Sequence, residues 1–126
     1  VIDCGNARED RDGAIAKDVE SRGTGTTSAE LLPGVRLVRA FNALSFQQVR
    51  TQAWRAGERI GIPIASDDKQ AQAVTAQLVE DAGFEPVIVG GLDRAKDFDR
   101  GTPVYVKGLT AKQLRELHIR LNLPEA

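Results

Sequence analysis

The chain has very little of several residue types on which common functional sites depend. Among its 126 residues there are one cysteine, one histidine and no methionine. A lone cysteine excludes an internal disulfide and a zinc site built from several thiolates, and a reducing, cytoplasmic location is therefore expected. Because a complete gene product begins with methionine, we also expect that this chain was shortened or processed at its N-terminus.

An excess of charge of one sign and long apolar runs are missing too. The formal net charge is −1, so no basic field attracts a phosphate backbone, and nucleic-acid binding is not expected. The longest apolar runs comprise only a handful of residues, far short of a membrane span, and no membrane association is expected. The length and composition suit a single domain over residues 1–126.

What the chain does have is an alternation of apolar strands and helices, which is typical of α/β proteins. Strands are predicted at "VIDCGN", "RLVRAFN", "IGIPIAS" and "EPVIVGG". These segments predict a partial Rossmann-like three-layer fold with about four mostly parallel strands and three to four helices. Pro63 cannot donate to a strand ladder, so it favours an edge or a strand start for the third strand. A short extended piece is predicted at 104–106.

Local signals also predict where helices begin and which faces they bury. Capping boxes are predicted at Thr27 with Glu30, Ser45 with Gln48, and Thr110 with Gln113. Asp67 or Asp68 is predicted to cap the clearest helix. Apolar spacing predicts the inner faces of two helices, one formed by Phe46, Val49 and Ala53, the other by Ala71, Val74, Leu78 and Ala82.

Polar and small residues follow each predicted strand. The strands end in the residues 3–6, Asn42, the residues 66–68, and the residues 90–91. In an open parallel sheet, the carboxyl ends of the strands lie along one edge, and ligands bind outside that edge. We interpret the two aspartates at 67 and 68 as helix caps, and Asn6, Asn42 and Gly91 as candidate binding residues.

Two conspicuous motifs do not meet the requirements of a functional site. "GTGTTS" at 23–28 contains G-x-G but follows no strand, so it is predicted to be a flexible surface loop rather than a phosphate-binding loop. Cys4 has no histidine nearby, since His118 lies far along the chain on the last helix. A packed, unreactive thiol is predicted. No catalytic side chain and no metal site are predicted.

Several strings together resemble one known family. "VIDCGN", "SAELLPGVRLVRAFNAL", "IPIASDD", "LVEDAGFEPVIVGGL" and "GTPVYVKGLT" are similar to the C-terminal part of NADP-dependent oxidoreductases related to coenzyme F420-dependent NADP reductase. The likeness covers nearly the whole chain in order. Members of that family begin with a Rossmann unit whose G-x-G-x-x-G turn holds the NADP pyrophosphate, and that unit is absent here. The resemblance implies that residues 1–126 are the C-terminal half of a Rossmann-type NADP-binding oxidoreductase.

The resemblance also implies an activity and a set of site residues. The intact enzyme would transfer hydride between NADP(H) and a flat redox partner such as the deazaflavin coenzyme F420. By resemblance, the cofactor-binding residues are Asn6, near the nicotinamide, and Asn42. The resemblance also implies a pocket for the second ring. Asn42, Ala43 and Leu44 would line this pocket, and Gly91 and Leu92 would form the loop that flanks it.

Other interpretations remain open at this point. The chain departs from the family at Ala7, where proline is usual, and at Ser66, where glycine is frequent, which would suit a small-molecule sensor built on a reductase scaffold. A non-catalytic association module is the main alternative, because a strand edge at 1–3 invites pairing with another chain. The partner would be the missing N-terminal half or a second copy in a homodimer. Alone, the chain is expected to be inactive and to bind NADP(H) weakly or not at all.

Overall fold

A four-stranded sheet organises the fold. The computed structural model describes residues 1–122, with side chains described for residues 1–117. The strands β1 (Ile2–Asp3), β2 (Val38–Arg39), β3 (Gly61–Ser66) and β4 (Glu85–Gly90) are neighbours in that order. β1 is parallel to β2 and β3 is parallel to β4, whereas β2 and β3 run antiparallel. The predicted α/β fold with about four mostly parallel strands is confirmed.

Helices connect and cover the strands. In chain order they are α1 (Glu9–Asp12), α2 (Ile15–Arg22), α3 (Thr24–Leu31), α4 (Phe46–Gln52), α5 (Lys69–Asp81), a 3-10 helix (Leu92–Phe98) and α6 (Ala111–Asn122). The part of the chain that the structure describes thus holds seven helices, more than the three to four predicted. The additional ones lie mainly between β1 and β2, where a polar, charge-rich sequence shows no clear apolar periodicity.

Two apolar cores lie on opposite faces of the sheet. On one face, Ile62 and Ile64 pack with Phe84 in the core beneath α5 and α4. On the other face, Ala65 packs with Phe98 beneath the 3-10 helix and α6. Successive residues of β3 point to opposite faces, so this one strand contributes to both cores. The predicted three-layer arrangement is confirmed.

Pro63 lies in a central strand, and its predicted edge position is wrong. β3 is buried along its whole length and lies between β2 and β4. However, β2 pairs only with Ala65 and Ser66. On the side of β3 that faces β2, Pro63 therefore lies outside the paired residues. The lack of an amide hydrogen in proline removes no bond to β2.

The glycine-rich segment 23–28 belongs to α3, so the predicted surface loop is wrong. Gly23, at φ +94°, separates α2 from α3. A Cβ on Gly25 would lie 3.1 Å from the Ala95 Cβ, which shows that the glycine permits close packing. The predicted cap at Thr27 is also wrong, because Thr27 lies inside α3 and its Oγ1 donates to the Gly23 carbonyl oxygen. The local sequence pattern could not reveal the packing of Gly25 against Ala95, because the two residues are far apart in the chain.

The inner face of α5 is rotated from the predicted one. Val74 and Leu78 are 55% and 46% exposed, whereas Gln72, Thr75 and Val79 are buried. The Gln72 amide donates to the carbonyl oxygens that end β3 and β4, at 2.6 and 3.2 Å, and this draws a polar side chain inward. The face predicted for α4 is wrong in the same way, since its two large apolar residues at 46 and 49 are exposed.

Most predicted helix starts are confirmed. Ser45 and Gln48 form a reciprocal capping box at the start of α4. Thr110 and Gln113 exchange the corresponding bonds at the start of α6, at 2.9 and 3.2 Å. Such bonds depend only on residues three apart, which explains why the sequence reveals them.

Capping of α5 provides a test of stability. The Asp68 side chain accepts from the Ala71 amide at 2.7 Å, so Asp68→Ala is expected to lower the free energy of unfolding by about 1 kcal/mol. Asp81→Ala is the matched control, because Asp81 ends the same helix, where a negative charge opposes the helix dipole. Urea denaturation of both variants measures the difference. Equal losses would contradict a specific role for the cap.

Candidate functional site

The ends of β1 and β2 bring Asn6 and Asn42 together. The Asn6 Nδ2 donates to the Asn42 carbonyl oxygen at 2.9 Å, and the Nδ2 of the buried Asn42 donates to the Phe98 carbonyl oxygen at 3.0 Å. Because each amide nitrogen faces a carbonyl oxygen, which only accepts, the orientation of both amides follows from their partners. The two predicted cofactor-binding residues therefore form one structural unit.

Tyr105 joins this unit from the opposite end of the chain. Its hydroxyl oxygen lies 3.4 Å from the Asn6 Nδ2. Tyr105 is not among the predicted site residues, and the predicted extended piece at 104–106 is a turn. No local pattern signals the contact, since it depends on how a turn folds back onto residues far away in the chain.

Two strained residues flank Asn42. Phe41 and Val106 have φ values of 64° and 52°, a left-handed conformation that is rare for residues other than glycine and a true outlier for a β-branched one. Val106 is held on both sides, because its amide donates to the Ala43 carbonyl oxygen at 2.7 Å and its carbonyl accepts from the Gln48 Nε2 at 3.1 Å. Backbone strain of this kind clusters at functional sites. Trp54, at φ 60°, shares this conformation but lies against Gly83 instead, so the strain supports this region without singling it out.

Three polar atoms of this region are buried without a hydrogen-bond partner among the described residues. They are the Oδ1 atoms of Asn6 and Asn42, which accept, and the Nε of Arg39, which donates. Buried polar atoms in native proteins almost always have a partner. Three such atoms at the ends of two neighbouring strands single out this region as the candidate site.

The Arg39 side chain is fully buried and contacts the backbone just before Asn6. Its Nη1 donates to the carbonyl oxygens of Gly5 at 2.6 Å and Asp3 at 3.2 Å, and its Nη2 donates to the Asp99 Oδ1 at 3.0 Å. The Asp3 Oδ1 lies 3.6 Å from the same Nη1, so the positive charge is compensated by two carboxylates and two carbonyl groups.

Cys4 lies in the same loop, and it is exposed rather than packed as predicted. Although Cys4 is exposed as a residue, partial burial of its sulfur raises the pKa of the thiol, the charge of Asp3 raises it further, and the charge of Arg39 opposes them. A raised pKa keeps the thiol protonated and weakly nucleophilic. The predicted lack of reactivity is consistent with this environment. The side chain of His118 lies outside the described residues.

Gly91 and Leu92 lie at a different place from the asparagines. Because β2 and β3 are antiparallel, the strand ends do not share one edge, and that expectation was wrong. The Leu92 amide donates to the Asp67 Oδ1 at 2.8 Å, so only the second of the two aspartates acts as a helix cap. The 3-10 helix then runs for about 12 Å, at roughly 2 Å per residue, before its last residue reaches Asn42.

Ala43 and Leu44 line a small internal recess, not an open pocket. This recess has a volume of about 10 Å³, which holds about one water molecule. Leu92 lines a separate depression beside Thr26 and Asp67. The described residues therefore do not assemble the four predicted pocket residues around one ring-sized cavity.

Among the described residues, no group of three or more histidine, cysteine, aspartate or glutamate side chains could hold a metal ion. None of their helices combines the length and the apolar character needed to cross a membrane.

Comparison with known proteins shows the fold. No protein-family model and no curated protein matches the chain. A solved hypothetical protein of Sinorhizobium meliloti is similar, with a TM-score of 0.77 and 24% identity over 87% of this chain and 54% of that one. A protein of Arthrobacter sp. FB24 designated an F420-dependent NADP reductase is also similar, with a TM-score of 0.64 and 19% identity over 95% of this chain and 50% of that one. The chain spans about half the length of either protein.

The buried amide of Asn42 predicts a pH-dependent effect on stability. In Asn42→Asp, only the protonated carboxyl group can donate to the Phe98 carbonyl oxygen, so folding raises the pKa of the new carboxyl group. Its stabilising contribution is present below the unfolded pKa of about 3.9 and is lost as the pH rises through the folded pKa. We expect a loss of about 2 kcal/mol at neutral pH and less in acid.

Urea denaturation at about pH 4 and about pH 7 measures this effect. Gln47→Glu is the control, because Gln47 is exposed and its replacement should give no such change of stability between the two pH values. Equal stability of Asn42→Asp relative to the unsubstituted chain at both pH values would contradict the prediction.

Proposed function

We propose that this chain is the second-substrate half of a cytoplasmic NADP(H)-dependent oxidoreductase, which transfers hydride between NADP(H) and a flat redox partner of the deazaflavin type. The observation that carries the proposal is the pair of unpartnered acceptors, the Oδ1 atoms of Asn6 and Asn42. A carboxamide group offers N–H donors to such acceptors, and the nicotinamide ring carries a carboxamide. The fold shared with the Arthrobacter protein supports this assignment.

The residues of this chain fit one end of NADP(H) and not the other. Asn6, Asn42 and Tyr105 supply a polar corner for the nicotinamide end. A phosphate-binding turn requires a strand, a glycine-rich loop and a helix in succession, and the described residues contain no such arrangement. The glycines at 23 and 25 instead serve the packing of α3. In the proposed enzyme, residues outside this chain hold the phosphate groups.

The proposed hydride transfer requires alignment of the two rings more than acid–base catalysis. When bound, the reduced nicotinamide supplies a hydride, which carries two electrons to the second ring, and the second ring takes any further proton from solvent. The protein then has to hold the two rings in register and exclude competing reactions. Asn6 is suited to the first task, because the Asn42 carbonyl oxygen and the Tyr105 hydroxyl already fix its amide nitrogen.

The free side of β1 is the proposed junction with the other half of the enzyme, or with a second copy. β1 is an edge strand, and beside it runs a partly apolar groove. Its apolar lining includes Val1, Ile2 and Val74, and its polar lining is Arg36, Gln70 and Thr75. An unpaired edge next to an apolar groove is a typical docking surface. Association without catalysis is not favoured, because it would give no role to the unpartnered acceptors.

The first experiment titrates the chain with NADPH and follows amide signals by NMR. We expect the largest shifts at Asn6, Asn42 and Tyr105, with a dissociation constant of about 1 mM or weaker, since the phosphate contacts are missing. Asn6→Ala should reduce these shifts, whereas Gln47→Ala, at an exposed position on α4, should leave them unchanged. Shifts confined to other regions would overturn the proposal, and tight binding would contradict the expected lack of phosphate contacts.

The second experiment tests the junction by light scattering. Without its complement, the chain is expected to form dimers that dissociate on dilution, and Val74→Lys should make it monomeric by placing a charge in the groove. Phe46→Lys is the matched control, because Phe46 is 69% exposed but lies on α4, away from this groove. A dimer that persists in Val74→Lys and dissociates in Phe46→Lys would assign the contact to α4 instead.

A further inference from the structure

We propose that Arg39 is the positioning residue of this site, whose guanidinium holds the backbone of residues 3–5 so that Asn6 lies against Asn42. The use of Asn6 for a cofactor rests on the proposed function, but the positioning itself can be measured without any cofactor. Arg39 acts through Asn6 and is not itself proposed to touch a ligand.

The first support is the way in which one nitrogen pins two carbonyl groups. The Arg39 Nη1 lies 3.2 Å from the Asp3 carbonyl oxygen and 2.6 Å from that of Gly5. Two carbonyl groups bound to the same cationic nitrogen restrict the path of the chain between them. Asn6 follows directly, and its own carbonyl oxygen accepts from the exposed Arg11 Nη2 at 2.7 Å, so Arg39 holds the approach to Asn6 from the buried side.

The second support is that Arg39 and Asn42 are anchored on adjacent residues. Asp99 accepts from the Arg39 Nη2 at 3.0 Å through Oδ1 and from the Thr24 amide at 3.1 Å through Oδ2. Phe98, its neighbour in the chain, accepts from the Asn42 Nδ2. The two asparagines are therefore positioned through the same end of the 3-10 helix, one directly and one by way of Arg39.

The third support comes from the energetics of a buried charge. A buried ion pair contributes little net stability, because desolvation offsets the attraction, and an apolar side chain of similar volume often does as well. Methionine could fill the space that Arg39 occupies. What methionine cannot supply is a rigid set of N–H donors directed at fixed acceptors. The particular contribution of the guanidinium is thus geometric.

The test compares Arg39→Met and Arg39→Lys with Arg50→Met, a matched control at an exposed arginine on α4, away from β1 and its groove. The first readout is hydrogen exchange of the Asn6 Nδ2 protons by NMR. In both Arg39 variants we expect exchange about tenfold faster, which corresponds to the loss of one charge-assisted hydrogen bond. The control variant should exchange at the rate of the unsubstituted chain.

The second readout separates charge from geometry through Cys4, which is exposed and lies within the pinned loop. Asp3 and Arg39 are the charged groups that act on its pKa. The pH profile of the reaction of the thiol with a disulfide reagent should shift to higher pH in Arg39→Met. It should stay near that of the unsubstituted chain in Arg39→Lys, which keeps the charge but not the set of donors.

Unchanged exchange of the Asn6 protons in a folded Arg39→Met protein would overturn the proposal. If Arg39→Met does not fold, Arg39→Lys decides in the same way: faster exchange supports positioning, and unchanged exchange overturns it. A failure of the proposed function would be visible separately, as a lack of NADPH-induced shifts in the unsubstituted chain while its Asn6 protons remain protected.

Discussion

A guanidinium group that is fully buried cannot be left without acceptors, and this constraint accounts for much of the arrangement around β1 and β2. The Arg39 side chain draws the carbonyl groups after β1 toward the sheet and binds the carboxylate that also holds the start of α3. Gly25 allows α3 to come close enough to cover the arginine, because a Cβ there would lie 3.3 Å from the Arg39 Cγ. One charge in the sheet thus determines the position of a loop, a helix start and the end of the 3-10 helix.

The candidate site is a consequence of that arrangement. Asn6 and Asn42 meet at the ends of two parallel strands. Phe41, which precedes Asn42, and Val106, which bonds to Ala43, both have the left-handed backbone conformation. The unpartnered oxygens of Asn6 and Asn42 are costly in a protein that binds nothing, since each buried acceptor without a donor loses its hydration. In the proposed function, these two buried acceptors would pair with an N–H donor, a role in recognition rather than in acid–base catalysis.

The fold is that of half a larger structure in its known neighbours. The chain covers about half of each similar protein, and β1 ends the sheet beside a partly apolar groove. The proposed enzyme would use the two sides of this sheet differently. The free side of β1 would receive the part that binds phosphate, while the strand ends at Asn6 and Asn42 would align the reacting ring.

The sequence by itself determined those features of the fold that depend on residues close together in the chain. The α/β class, strands β3 and β4, and the caps at Ser45, Asp68 and Thr110 could be predicted, because they rest on apolar runs and on bonds between residues three apart. The sequence also pointed to Asn6 and Asn42 as residues at strand ends, but the hydrogen bond between them came only from the structure. Only the tertiary structure decided the reversed direction of β3, the inward turn of Gln72, the approach of Tyr105 and the burial of Arg39. Each of these depends on partners distant in sequence, whose free energy of contact outweighs the local pattern.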